Sequence, residues 1–365
     1  MGEAAEPAGP PGSAGRPGIV PAARRLLSNA ESLAYWGAVA PLAARLPASL
    51  AYRVACRHGD WICRHWPGKR PEIVRNLRLV LGDELGEEEA ERVARDAFRF
   101  LSCQVIDTML LRGRARSLGR LVEIRGREHL EAALAGGKGA ILCGAHFGSH
   151  LSASSLLHAS GFPLTTIGRW HWNFTPGLSS VERRFWDLVC ARRVLRHRQR
   201  PNIEPWPGQI QAAVQAAAAL RANEVVMITS DAEPLDGDRT AIEVPFLGRQ
   251  ARLQPGVVTL AQLTGAPVLM AFVYRLADYR HQIVEISPPV PMQGETATAF
   301  GRCVAAMEAA IRTSPAHWFY WFQMEDLIAL GLIPAAPPDG AAAVSPQLAA
   351  DEHAGRMAEL QQSTR

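Results

Sequence analysis

The side chains best suited to chemistry gather around one stretch, "GAILCGAHFGSHLS", which runs from Gly139 to Ser152. An apolar run leads into His146, then a turn marked by Gly148, then sequence of helical character. An imidazole between a strand and a helix can serve as a general base, because its pKa lies near neutrality. Such a base commonly leans on a carboxylate that fixes its tautomer and stabilises the imidazolium. Other chemistries fit less well. His146 and His150 stand one helical turn apart, with Cys143 and His158 near, as in a metal site. The glutamate of a zincin HExxH is missing, however, and spacing supplies no third ligand, so no metal is expected. Ser149 does not sit in a GxSxG elbow, which gives no support to a serine hydrolase. GxGxxG and Walker patterns are absent, and no cofactor is expected.

The elements that must position His146 follow from periodicity. Strand-like runs ("VEIRG", "GAILCGA", "PLTTIG", "EVVMITSD", "PVLMAFVYR", "HQIVEISPPV") alternate with helical ones ("REHLEAALAGG", "GLSSVERRFWDLVCARR", "IQAAVQAAAALR", "GVVTLAQLTG", "TATAFGRCVAAMEAAIRT"). That alternation predicts an α/β fold, a mainly parallel sheet flanked by helices. Ligands of such sheets collect at the carboxyl ends of the strands, where His146 falls. Upstream, Ile73, Leu77 and Val80, then Val93, Ala97, Phe100, Leu101 and Val105, recur at helical spacing on either side of "GDELGEEE". The glutamate run opens the second helix of that pair, where the macrodipole favours negative charge. Earlier still, Arg45, Arg53, Arg57 and Arg64 mingle with Trp61 and Trp66, as on helices with one apolar and one basic face. Such helices can pack on a domain or lie in a lipid interface.

Composition sets the outer limits. The 365 residues are 48% hydrophobic and 20% charged, with a formal net charge of +4. That is enough chain for a sizeable core and too weakly basic to indicate nucleic acid. Cys56, Cys63, Cys103, Cys143, Cys190 and Cys303 show no CxxC and read as reduced thiols. No run reaches the roughly 18 apolar residues of a membrane span, the nearest being "SLAYWGAVAPLAA", interrupted by Pro41. Residues 1–20 and 335–365, rich in Gly, Pro and Ala, are expected to be disordered, and the former do not read as a signal peptide. Between them, residues 21–115 form a helical, membrane-leaning segment and 116–330 the α/β domain. A basic run, "ERRFWDLVCARRVLRHRQR", together with "RWHWNFTP" just upstream, reads either as a solvated face or as a surface for anionic headgroups or donor phosphates.

"HFGSHL", "GFPLTTIGR", "DAEP", "IEVPFLGRQARLQPGVVTLAQLTGAPV" and "PAHWFYWFQ" occur in one order. Together they resemble the bacterial lipid A biosynthesis acyltransferases, the late lauroyl and myristoyl transferases, and their relatives that acylate phosphatidylinositol mannosides. The resemblance runs from about Tyr35 to Leu327 and is most specific in the "IEVPFLG" block. It implies a glycerolipid acyltransferase-like fold. Donors would be acyl-ACP or acyl-CoA thioesters and the acceptor a hydroxyl or amine of a lipid or glycolipid. The enzyme would be peripheral, at the cytoplasmic face of the plasma membrane. By position, His146 matches the family's base, Arg169 an arginine that holds anionic substrate or the oxyanion, and Asp231 the acid of a "DQ" pair, here followed by Ala232. Glu243 and Phe246, with Pro245 and Gly248, match a loop near the acyl site. Arg252 in the same block, and Ser149 and His150 beside the base, are further candidates for substrate contact.

One position departs from the pattern. The family motif is His, four residues, then Asp or Glu, and this chain has Leu151 at the acid position. Leucine cannot hydrogen-bond, so an orienting partner for His146 must come from His150, Ser149 or Asp231. Two other outcomes follow if none serves: a repurposed transferase acting on a small soluble acceptor in specialised metabolism, or a non-catalytic lipid-binding homologue.

Overall fold

The computed structural model describes residue 30 and residues 34–333, apart from 67, 83–84, 114–117, 169–201, 204–209, 233 and 235–239. The two chain ends, Arg169, the basic run and the helix read in "GLSSVERRFWDLVCARR" therefore lie outside the described residues.

The N-terminal segment is helical. A π-helical turn, Tyr35–Val39, continues into α1, Ala40–Ala43; α2 spans Ala48–His65, α3 Lys69–Leu81 and α4 Glu87–Gly113. Pro47, in extended conformation, precedes α2, and Gly82, with φ of 80°, ends α3. Glu87, Glu88 and Glu89 occupy the first turn of α4, as the macrodipole argument requires. The buried stripe of α2 is Ala51, Tyr52, Ala55, Gly59, Ile62 and Cys63. It lies along α4 in the opposite direction: Tyr52 meets Asp107, while Gly59 meets Phe98 and Arg99. At Gly59 the two backbones approach so closely that a Cβ would stand 2.6 Å from Arg99 Cα.

Next comes the α/β body: β1 Val122–Arg125, α5 Arg127–Ala135, β2 Ala140–Gly144, α6 His150–Ala159, β3 Leu164–Ile167, β4 Asn202–Ile203, α7 Gln211–Arg221 and β5 Val225–Thr229. After a hairpin, β6 Ile242–Phe246 and β7 Arg249–Leu253, the chain forms α8 Gly256–Thr264, β8 Val268–Arg275, β9 Gln282–Val290, α9 Thr296–Thr313 and α10 Met324–Ala329. The sheet has seven strands in the order β1-β9-β8-β2-β5-β3-β4. It is mainly parallel; β9 runs antiparallel to β8, and β1 follows the direction of β9. The hairpin stands apart as its own two-stranded sheet.

Central strands of such a sheet are buried on both faces, and β2 is buried at every residue. Side-chain alternation divides it between two cores. Ile141 and Cys143 join Val226, Val268 and Met270 beneath α7, α8 and α9. Ala140 and Leu142 join Val225, Met227 and Leu269 against Leu130 of α5 and Leu157 of α6. Residues of α3 and α4, among them Ile73, Leu77 and Phe98, enter the first core, so the helical segment and the sheet are packed as one interior. Cys63, Cys103, Cys143 and Cys303 are buried free thiols, Cys56 is half-buried, and Cys190 lies outside the described residues.

The close α2–α4 approach yields an expectation. Gly59→Ala should force the helices apart and destabilise the chain by about 1–3 kcal/mol, the range for overpacked cores, read as a lowered thermal midpoint.

Candidate active site

Two adjacent central strands build the site. Gly144 ends β2, Thr229 ends β5, and these two residues are register partners. Two residues beyond each lie His146 and Asp231, so the sheet register carries both to the same point on its carboxyl edge. The His146 Nδ1 lies 2.8 Å from Asp231 Oδ1. The His146 main-chain N–H donates to Asp231 Oδ2 at 2.8 Å, and the Trp318 indole N–H donates to the same oxygen at 2.9 Å. An ionised carboxylate only accepts, so the proton between them sits on Nδ1 and Nε2 presents its lone pair. Thr229 Oγ1 is 3.5 Å from that Nε2. His146 keeps 28% of its side chain exposed, whereas Asp231 has none. The arrangement is a buried acid behind a partly exposed imidazole.

Burial by itself would push the Asp231 carboxyl up. The His146 charge and the bonds from His146 and Trp318 outweigh it and hold the group below its ordinary value. Asp231 is therefore an anion throughout the neutral range and can stabilise an imidazolium.

The loop that carries His146 is rigidly built. Gly148 has φ of 55°, and a Cβ there would lie 1.9 Å from the Val273 carbonyl oxygen, so only glycine fits. Gly148 donates its N–H to the His317 carbonyl at 2.9 Å, and Phe319 donates to the His146 carbonyl at 2.9 Å. Phe147 forms an antiparallel bridge with Trp318. The rings of His150 and Tyr320 stand edge-on to His146, at 5.4 Å and 5.2 Å between centroids.

Of the three candidate partners for His146, Asp231 makes the hydrogen bonds. Ser149 is buried and bonded to Asp107 and Arg275, and His150 packs against the imidazole. Leu151 falls in the first turn of α6. Glu243 and Arg252 are cross-strand partners on the exposed face of the β6–β7 hairpin. Phe246 points inward and meets Trp318 edge-on at 6.0 Å, which links the hairpin to the indole that braces Asp231. Sequence reasoning had not singled out Trp318 or Thr229 individually. Trp318 lies in the aromatic run "PAHWFYWFQ", and Thr229 is the last residue of the strand before Asp231. Among the described residues no group of three or more His, Cys, Asp or Glu could hold a metal ion.

The fold is an α/β sheet covered on both faces, with a histidine–aspartate pair at its carboxyl edge. The family of bacterial lipid A biosynthesis acyltransferases matches residues 23–325, and the chain belongs to it and is an acyltransferase. It is 25% identical over 286 residues to the lipid A biosynthesis lauroyltransferase of Escherichia coli strain K12, covering 76% of this chain and 86% of that protein. It is 32% identical over 222 residues to the phosphatidylinositol mannoside acyltransferase of Mycobacterium tuberculosis strain CDC 1551 / Oshkosh, covering 57% and 62% of the two chains. The same enzyme of strain H37Rv is 31% identical over the same length.

Asp231→Asn keeps the shape but lets the amide donate to the imidazole, favouring the wrong tautomer. Turnover should fall by up to about 10⁴-fold, as for the orienting aspartate of serine proteases. The pH dependence follows from the depressed carboxyl. Its stabilisation is complete above the unfolded-chain value of about 3.9 and is lost as pH falls through the lower folded value. Denaturant melts of the two proteins should therefore differ at neutral pH and converge in strong acid.

Proposed function

We propose that this chain transfers an acyl group from a thioester donor, on acyl carrier protein or coenzyme A, to a hydroxyl or amine of a lipid or glycolipid. The observation that carries the reading is the His146–Asp231 pair, with Nδ1 tied to a buried anion and the imidazole itself partly exposed. In the reaction, Nε2 takes the proton of the acceptor hydroxyl as its oxygen attacks the thioester carbonyl. The imidazolium is stabilised by Asp231 until the tetrahedral intermediate collapses. The carbon–sulfur bond then breaks, the new ester is released, and the departing thiolate recovers the proton from Nε2. Asp231 supplies the orienting carboxylate that Leu151 cannot, which favours an enzyme over a non-catalytic lipid-binding homologue. The names of the relatives favour a lipid-linked acceptor over a small soluble one. Arg169, Glu243, Phe246, Arg252 and His150 keep their proposed parts in holding donor or acceptor, whereas Ser149, whose buried hydroxyl is taken by Asp107 and Arg275, is proposed to position and not to bind.

The N-terminal helices supply a surface for the acceptor's membrane. Val39, Leu42, Leu46 and Leu50 are exposed, Leu42 by 62% and Leu50 by 42%. On α2 the outward stripe continues as Arg53, Arg57, Trp61 and Arg64, all exposed. Apolar side chains interleaved with guanidinium groups suit a lipid interface, with arginines reaching headgroups. Among the described residues no helix is long and apolar enough to cross a membrane. The proposed attachment is peripheral, at the cytoplasmic face of the plasma membrane.

Two experiments test the reading. His146→Ala should reduce acyl transfer from dodecanoyl thioesters by at least about 10²-fold, the lower bound for a lost general base, with the melting temperature nearly intact. Wild-type turnover in that variant would remove His146 as the base. In flotation assays the full chain should bind anionic vesicles and be released by salt, since each basic residue near such a surface contributes about 1 kcal/mol that screening removes. Leu42→Glu and Leu50→Glu should weaken that binding, and equal binding by the variants would place the contact elsewhere.

A further inference from the structure

A second buried polar cluster lies beside the His146 loop, and the transfer step above does not use it. Asp107 projects from α4 between apolar neighbours and is fully buried. Its Oδ1 accepts the Tyr52 hydroxyl of α2 at 2.5 Å. Its Oδ2 accepts the Ser149 hydroxyl at 2.5 Å and the Arg275 guanidinium, which ends β8. Arg275 also donates to Ser149 Oγ at 2.7 Å and to the Tyr279 carbonyl at 2.9 Å. Burial alone would make the guanidinium easier to deprotonate; the Asp107 charge beside it more than reverses that, so the pair is ionic.

Two features argue that this cluster serves geometry. A buried ion pair is often no more stabilising than apolar groups of the same shape, so stability alone does not account for it. Ser149, at the N-cap of α6, would ordinarily turn its hydroxyl onto the helix's first N–H groups. It makes no such cap and commits the hydroxyl to Asp107 and Arg275 instead.

The same elements grip the preceding residue. Gln104, one turn before Asp107 on α4, donates to the Gly148 carbonyl at 3.0 Å. The Arg275 main-chain N–H donates to His317 Nε2 at 2.7 Å. The His317 carbonyl in turn accepts the Gly148 N–H. Burial and the Arg275 charge pull the His317 imidazole down to about 3, which keeps it a neutral acceptor. The turn that follows His146 is thus held by its N–H, its carbonyl and its serine hydroxyl.

We infer that Asp107 and Arg275 are positioning residues for His146, and that through Tyr52–Asp107–Ser149 the N-terminal helices help to aim the imidazole. The kinetic consequence rests on His146 acting as the base; the geometric one does not. The test uses the full chain with Ser149→Ala, Asp107→Asn and the double variant. Turnover is read as CoA release from dodecanoyl-CoA with phosphatidylinositol vesicles as acceptor. Geometry is read independently from the NMR resonance of the His146 Nδ1 proton. Ser149→Ala leaves the Asp107–Arg275 pair in place and should lower kcat by about 10- to 100-fold, the scale of a small misplacement, with KM unchanged. In the double variant the losses should not add, because both substitutions break one link. The Nδ1 proton should shift or broaden in each variant. If Asp107→Asn does not fold, Ser149→Ala decides alone. A folded Ser149→Ala chain with wild-type kcat and an unmoved Nδ1 proton would overturn the inference. So would a lowered melting temperature with that resonance unchanged. A moved resonance in Ser149→Ala, alongside a fully active His146→Ala, would uphold the positioning and overturn the base.

Discussion

The carboxylate of Asp231 is the point on which the rest of this site depends. It lies wholly out of solvent, and an anion there is tolerated only because its oxygens are met by donors. The donors are the His146 ring, the His146 main chain and the Trp318 indole, and each comes from a segment fixed by other contacts. Losing any of them would leave charge unmet in a low-dielectric interior. The carboxylate therefore organises its surroundings as much as it organises the imidazole. Phe246 and Tyr320 pack against Trp318, extending that order to the hairpin and to the segment after α9.

This arrangement explains how a chain with leucine at the expected acid position still has a carboxylate bonded to the His146 ring. In the motif the partner would come from the same loop as the histidine, five residues on. Here it comes from the neighbouring strand end, 85 residues away in sequence. Both routes place an anion behind the imidazole, and the second follows from the register of β2 and β5. The site is thus a property of the sheet more than of the local motif.

The N-terminal helices present two different sides. Their outer side carries exposed leucines and arginines, while their inner side contributes Tyr52, Gln104 and Asp107 to the surroundings of the His146 turn. The outward stripe and the contacts to the His146 turn thus lie on opposite sides of the same helices. Sharing of the main core between α3, α4 and the sheet ties these parts mechanically.

Much of this was determined by sequence alone. Short continuous apolar runs marked β2, β5 and β8, helical periodicity marked α3, α4 and α9, and a histidine after a buried strand marked the candidate site. These signals are local, arising from side chains within a turn or two of each other. Tertiary structure decided what local periodicity cannot encode. Strand order made β2 and β5 neighbours and chose Asp231 over Ser149 and His150 as the partner of His146. The antiparallel course of β9 was equally hidden, since alternation is the same in either direction. The β6–β7 hairpin escaped notice because Leu247, a residue that rarely takes positive φ, stands at its turn with φ of 52°. Asp107 and Arg275 were visible only as charges ending or interrupting apolar runs; their meeting across 168 residues required the folded chain. Contacts of that span are set by how elements pack, and packing is a property of the whole interior.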